Sequence, residues 1–175
     1  SEFNKGLIRS TYPSHIAEPM CNAIDSKDKA ELLERLHKEW IEYHRLIGFD
    51  HFYLYNNNST DNYREVLTPY IEDGIVTLKD FTIVPVQVPA YHDFYVHHRQ
   101  ETKWVALIDL DEFFCLFRDT NIKSWISRFS KYPVVCTYWK FFNSSGLLEH
   151  DFSKLVMEQY ILSSEKYINI GKCFI

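Results

Sequence analysis

The chain has 175 residues, a formal net charge of −5, 46% hydrophobic and 17% aromatic residues, and only five glycines. That is the length of one domain with a sizeable core, and it is too apolar for disorder. The absence of a basic block argues against a nucleic-acid partner, and apolar runs far short of the ~20 residues of a bilayer span argue against a transmembrane segment.

In chain order, residues 1–19 carry little periodicity and two prolines, and read as an N-terminal arm before one domain over 20–175. Ser1-Glu2-Phe3 lacks a signal-peptide pattern. Met20 to Ile24 reads as a short strand. Asp25 or Ser26 then caps a helix running to about Ile47, with Leu32, Leu33, Leu36, Trp40, Tyr43 and Leu46 at helical spacing and Glu39, Glu42 and His44 on its solvated face. Gly48 ends it. A strand follows at His51–Tyr55, then the polar loop Asn56 to Asn62, a helix over Tyr63–Ile71 and a strand over Ile75–Leu78. A further helix is expected over Ala90–Thr102, one at Ile122–Phe129, and a strand at Val134–Phe142. Asn143 to Gly146 is a turn cluster, and strand-like pieces lie near Tyr160 and at Lys172–Ile175. Cys21, Cys115, Cys136 and Cys173 form no Cys-x-x-Cys; three lie in apolar strand-like contexts and read as buried free thiols. The alternation of strands and helices implies an α/β fold with a mixed, mostly parallel central sheet and helices on both faces.

The run from Trp104 to Ile108 is five apolar residues ending at Asp109-Leu110-Asp111-Glu112. It reads as a strand buried on both faces, with two carboxylates that an extended backbone directs to one side. Carboxyl ends of strands are where open α/β sheets bind ligands. Paired carboxylates there suit Mg²⁺ or Mn²⁺ whose shell substrate phosphates complete. Caps and solvated loops use the same residues, and burial between apolar runs weighs against that plainer reading. The loop at 56–62 falls at another strand end, so one loop can hold a base or ribose and the other the diphosphate metal.

The segments Glu39 to His44, Leu46 to Asp61 and Trp104 to Phe113 together resemble glycosyltransferase family 92 and its relatives in the family 2-like group, a likeness running from about Cys21 to the C-terminus. The resemblance implies a GT-A fold, the three-layer α/β/α nucleotide-diphospho-sugar transferase sandwich. It implies metal-dependent transfer of a sugar from a UDP-sugar, galactose in the family as a group, to a glycan or glycolipid acceptor, with inversion. It makes Asp109 and Asp111 the DXD motif that binds Mn²⁺ or Mg²⁺ and the donor diphosphate. It sets Asn57, Ser59 and Asp61 near the nucleoside and Gln87 and Asp93 near the nucleotide. Phe142 to Gly146 resembles a Phe-Gly-Ser-Ser-Gly turn with Asn143 in place of the first glycine, and Lys172 resembles the lysine of the segment that closes the domain. Relatives continue toward a histidine that completes the metal shell. The sequence therefore reads as truncated or as a short relative, expected to bind UDP and to transfer sugar poorly. Relatives act in the Golgi lumen when eukaryotic and at the cytoplasmic face of the inner membrane when bacterial; the plain cysteine pattern leans to the second.

Each site has a plainer reading. The 56–62 loop can be an ordinary polar turn, with Asp61 capping the helix at Tyr63. His92, His97 and His98 have the wrong spacing for one zinc face of a helix and read as surface positions. Trp139 can stack on a sugar or fill the core. An inverting transfer needs a carboxylate base, for which Glu149 and Asp151 after the Asn143 turn are the candidates, with Glu158 beyond them. Two alternatives stay open. A haloacid-dehalogenase-like phosphatase also carries Asp-x-Asp after an apolar strand. A non-catalytic sugar-nucleotide-binding domain would keep the fold without turnover.

Overall fold

The computed structural model describes residues 37–59, 61–82, 87–151 and 153–175. The arm at 1–19, the strand at Met20–Ile24, the cap at Asp25 or Ser26, Leu32, Leu33, Leu36 and Cys21 lie outside them.

Residues 37–46 form helix α1. Its buried stripe is His37, Trp40, Ile41 and His44, the i, i+3, i+4, i+7 pattern of one helix face. His44 is therefore not on the solvated face where the sequence places it: it is wholly buried, while Leu46 is 81% exposed. The reason is aromatic packing. The His44 ring lies 4.5 Å from Trp40, 5.3 Å from Phe49 and 5.8 Å from Phe113, centroid to centroid. Gly48 ends the helix at φ +106°, and a Cβ there would lie 2.5 Å from Asn121 Nδ2.

Strand β1 (Phe52–Asn56) pairs in parallel with β2 (Val76–Asp80), in register from Phe52↔Val76 to Asn56↔Asp80. Helix α2 (Tyr63–Glu72) connects them, as a parallel pair requires. The main core unites Trp40 and Ile41 of α1, Phe52 and Leu54 of β1, Leu67 of α2, Val76 of β2, and Leu110. Burying a side chain such as Ile41 fully is worth about 1.5–3 kcal/mol.

Helix α3 spans Gln87–His97, three residues earlier in start and five earlier in end than expected. Pro89 fits a first turn, where no backbone N–H is needed, and the chain turns after His97 with the Glu101 N–H donating to the His98 carbonyl at 2.9 Å. His97 and His98 engage Asp93 and Glu101 through their Nδ1 atoms.

Strand β3 is only Ala106–Leu107, extended by reciprocal 3.0 Å bonds between Val105 and Ile175. It pairs antiparallel with β5 (Ile168–Phe174), which pairs antiparallel with β4 (Val135–Trp139). Residues 104–108 are half-buried, so the strand expected to be buried on both faces is shorter and more open than its composition suggests. The chain leaves the ladder after Leu107 so that Ile108 and Leu110 can enter the main core. The α/β class holds; among the described residues the strands form a parallel pair and an antiparallel three-stranded sheet, two small sheets where the sequence implies one mixed, mostly parallel central sheet.

Helix α4 (Ile122–Ser127) is capped by Asn121, whose Oδ1 accepts from the Lys123 N–H at 2.9 Å. With Val135 and Phe174 its Ile122 and Ile126 form a second core, against which Phe49, Phe114 and Trp125 pack. A one-turn helix α5 spans Val156–Gln159. In place of a strand near Tyr160 there is a single bridge between Phe142 and Ser163. Cys115 and Cys136 are exposed and Cys173 is half-exposed, so these thiols are not buried as expected; Cys136 lies on the outer side of β4, where its strand alternates with buried Val135.

Candidate active site

Residues 109–112 do not run on as an extended strand. The Glu112 N–H donates to the Asp109 carbonyl at 3.1 Å, and the Asp109 N–H donates back to Glu112 Oε2 at 2.9 Å. The extended geometry expected to align Asp109 with Asp111 is thus replaced by a turn that folds Glu112 back over Asp109.

Helix α1 holds this turn by its backbone. Trp40 Nε1 donates to the Glu112 carbonyl at 2.8 Å, and the Tyr43 hydroxyl donates to the Phe114 carbonyl. His44 completes the grip. Its Nδ1 donates to the Trp40 carbonyl at 2.7 Å and its Nε2 accepts from the Phe114 N–H at 3.5 Å. That arrangement defines a neutral ring with the proton on Nδ1. Burial lowers the His44 pKa to about 4, against the opposing pull of the Trp40 carbonyl.

Charge in the turn is balanced from β5. Lys172 Nζ donates to Asp109 Oδ2 at 2.9 Å, lies 3.7 Å from Glu112 Oε2, and sits 5.6 Å from the centroid of the Trp139 ring. Asp109 is 3% exposed, a burial that a carboxylate tolerates only when paired. Burial works against the Lys172 ammonium, but Asp109 and Glu112 outweigh it and hold its pKa above the ordinary lysine value. Glu112 goes the other way. Burial pushes its pKa up to about 7, opposed by the Asp109 N–H and by Lys172 and aided by the Asp109 and Asp111 charges. Its Oε1 is buried without a hydrogen-bond partner, as is Trp139 Nε1. Perturbed carboxyls of this kind concentrate at functional sites.

Of the other expected site residues, Gln87 joins this group: its Nε2 donates to the Tyr91 hydroxyl at 2.9 Å and reaches Asp109 Oδ1 at 3.4 Å. The loop after β1 is organised by Asn56. Its Nδ2 donates to Asp80 Oδ1 and to the Tyr63 hydroxyl, both at 2.8 Å, and its Oδ1 accepts from the Ser59 N–H at 3.0 Å. Asn58 takes φ +56°, a left-handed conformation that asparagine tolerates. Asn57 is buried, and the Ser59 hydroxyl is buried without a partner. The N-cap of α2 is Asn62, while Asp61 Oδ1 accepts from the Tyr63 N–H at 3.3 Å. Because β1 and β2 are parallel, this loop and the exit of β2 share one edge of the pair.

Asp93 is engaged elsewhere. Its carboxylate accepts from Lys79 and, at 3.1 Å, from the Tyr55 hydroxyl. Burial opposes its charge, but Lys79 and Tyr55 prevail and hold its pKa below the usual range. Glu149 and Asp151 lie on an exposed stretch. Hydrogen bonds from Ser153, side chain and backbone, depress the Asp151 pKa to about 2. Asp151 is therefore a poorer base than an ordinary carboxylate.

Two contacts were missed by sequence reasoning. Lys172 enters there only through the resemblance, and its pairing with Asp109 joins residues 63 positions apart, which no local pattern marks. The grip of Trp40, Tyr43 and His44 has a readable trace: an aromatic and a histidine four residues apart on one helix face.

The chain belongs to glycosyltransferase family 92, whose family model matches residues 33–175. Similar proteins are plant members. A glycosyltransferase family 92 protein of Oryza sativa subsp. japonica is 28% identical over 148 residues, covering 75% of this chain and 24% of the relative. One of Ricinus communis is 28% identical over 121 residues, covering 62% and 21%. One of Arabidopsis thaliana is 25% identical over 107 residues, covering 56% and 19%. The chain thus spans about a quarter or less of the length of these relatives. No solved structure matches it.

Proposed function

We propose that this chain is the donor-binding part of a metal-dependent glycosyltransferase of GT-A type, which moves a sugar from a UDP-sugar to a glycan or glycolipid acceptor with inversion, galactose being the sugar the resemblance implies. The observation that carries the reading is the buried acidic turn Asp109–Glu112, gripped by α1 and balanced by Lys172, in a chain of family 92.

The donor set at the turn is all oxygen, with Glu112 Oε1 buried and lacking a hydrogen-bond partner, and it fits a hard divalent cation such as Mn²⁺ or Mg²⁺. Asp109 and Asp111 would hold it. Among the described residues no three His, Cys, Asp or Glu side chains form a group able to hold a metal, so a cation at Asp109 and Asp111 would need donor phosphate oxygens to complete its shell. When bound, the ion supplies Lewis-acid stabilisation of charge on the departing diphosphate.

The chain's own residues do the rest. Lys172 stands beside Asp109 and Glu112 as a cation able to meet diphosphate oxygens. Gln87 steadies Asp109. Asn57, Ser59 and Asp61 offer donors and acceptors to uracil and ribose; the Ser59 hydroxyl, lacking a partner, supports that role. Asp93, tied to Lys79 of β2 and Tyr55 of β1, would act on the nucleotide indirectly, by fixing α3 against the parallel pair. Glu149 is the favoured acceptor base over Asp151, because a carboxylate of depressed pKa draws a proton weakly. Family membership favours this transferase over the phosphatase alternative.

Titration calorimetry of UDP with and without Mn²⁺ tests the reading. Asp111→Ala is expected to abolish the metal-dependent part of the affinity with the fold intact. Unchanged affinity in that variant refutes the metal assignment, and hydrolysis of a simple phosphate ester by the wild type refutes the transferase.

A further inference from the structure

The outer face of the antiparallel sheet carries two cysteines directly opposite each other. Cys136 of β4 is the register partner of Cys173 of β5. Their sulfurs are 2.9 Å apart, nearer than two unbonded thiols comfortably rest. Directly opposite residues of an antiparallel pair have Cα atoms about 4.5–5.5 Å apart, inside the range that a disulfide spans. Small rotations about the two Cα–Cβ bonds close the remaining gap to the ~2.05 Å bond. Cys136 is exposed, so an oxidant reaches it without unfolding.

We propose that Cys136 and Cys173 are a covalent modification site: a cross-strand disulfide formed by exchange with a small-molecule disulfide of the glutathione class. The Cys136 thiolate attacks one sulfur of the small disulfide, forming a mixed disulfide and releasing one small thiolate. The Cys173 thiolate then attacks Cys136 Sγ and expels the second. Two protein thiols are oxidised, one small disulfide is reduced to two thiols, and the two protons pass to the released thiolates. Attack on a mixed disulfide by a neighbouring sulfur is the faster course when the second thiol is already in contact.

The bridge has a structural consequence. Cys173 adjoins Lys172, whose side chain leaves the opposite face of β5 to meet Asp109. The Cys136–Cys173 bond therefore fixes the register of the strand that delivers the cation to the acidic turn. This strand is otherwise held beside β4 at a point where the register shifts between Tyr138 and Trp139.

The test uses the 175-residue chain equilibrated with oxidised glutathione, alkylated, digested without reductant and mapped by mass spectrometry. The expected product is one peptide pair linking Cys136 to Cys173, lighter by two hydrogens than the sum of its parts. The bridge closes a loop of 37 positions, so the oxidised chain should melt about 10 °C higher than the reduced chain. Cys136→Ser should lose both the linked peptide and the shift, and Cys115→Ser should keep both. Should Cys136→Ser not fold, the comparison of oxidised with reduced wild type decides alone. Recovery of Cys136 and Cys173 as alkylated free thiols, as separate glutathione adducts, or bridged to Cys21 or Cys115 would overturn the proposal. An unchanged melting temperature on bridging would overturn the claim that it fixes the β5 register.

Discussion

Acid should weaken this fold through His44. The ring is fully buried and neutral, donating from Nδ1 to the Trp40 carbonyl and accepting at Nε2 from the Phe114 N–H. Protonation would place a second donor against that N–H, inside an aromatic cage. With the folded pKa lowered to about 4 against about 6.5 in the unfolded chain, the unfolded state binds the proton more readily. The stabilisation is therefore complete above pH 6.5 and is lost as the pH falls from 6.5 through 4, at about 1.4 kcal/mol per pH unit. Between pH 7 and pH 5 the loss comes to about 2 kcal/mol. Other groups titrate in the same window, so the measurement is a difference. Urea unfolding of wild type and of His44→Gln is compared at pH 7, 6 and 5. The variant carries a constant deficit from lost packing, and the gap between the two proteins should shrink by about 2 kcal/mol on going to pH 5. A gap that stays constant, or widens, refutes the neutral-ring assignment.

Replacing Lys172 with Met strands a buried carboxylate and should cost about 3–5 kcal/mol in denaturant unfolding; Lys172→Met with Asp109→Asn should cost clearly less than the two single changes added, and strict additivity would show that the ions do not interact. Gly171→Ala should prevent β4 and β5 from pairing, because the added Cβ would lie 1.6 Å from the Thr137 carbonyl oxygen; a variant with native circular dichroism and an unchanged melting temperature would contradict that contact. Asp61→Ala is expected to weaken UDP binding in calorimetry even without metal, and a loss seen only with Mn²⁺ present would remove it from the nucleoside.

Local signals read well wherever the cause is local. The β1 strand, the Asn-rich loop and α2 all follow from alternation, turn residues and helical spacing within a dozen positions, and the structure places them at Phe52–Asn56 and Tyr63–Glu72. Gly48 stops α1 as expected, and its positive φ explains why. The failures lie where polar residues take apolar places or where partners are distant. His37 and His44 occupy two of four buried positions on α1, so a hydrophobicity pattern shifts the inferred face toward Tyr43 and Leu46. The apolar run at 104–108 looks like a central strand, but its side chains serve two different cores, and a strand shared in this way ends early. The acidic motif itself was legible. Its turn geometry was not, because the back-bond from Glu112 to the Asp109 N–H depends on a side chain folding onto its own backbone.

Helix α1 also reaches in a second direction. Both oxygens of Glu39 accept backbone N–H groups at the start of α5, from Val156 at 2.8 Å and from Met157 at 3.0 Å. One turn of one rod thus carries two docking points, Glu39 toward the 156–157 segment and Trp40 toward the acidic turn. The separation between those two parts of the molecule is set by adjacent residues on a rigid element and not by the 40-odd residues of chain between them. Insertions or deletions at the exposed Leu147 and Leu148 should leave that separation unchanged, so the geometry around the carboxylates is kept while that segment varies in length.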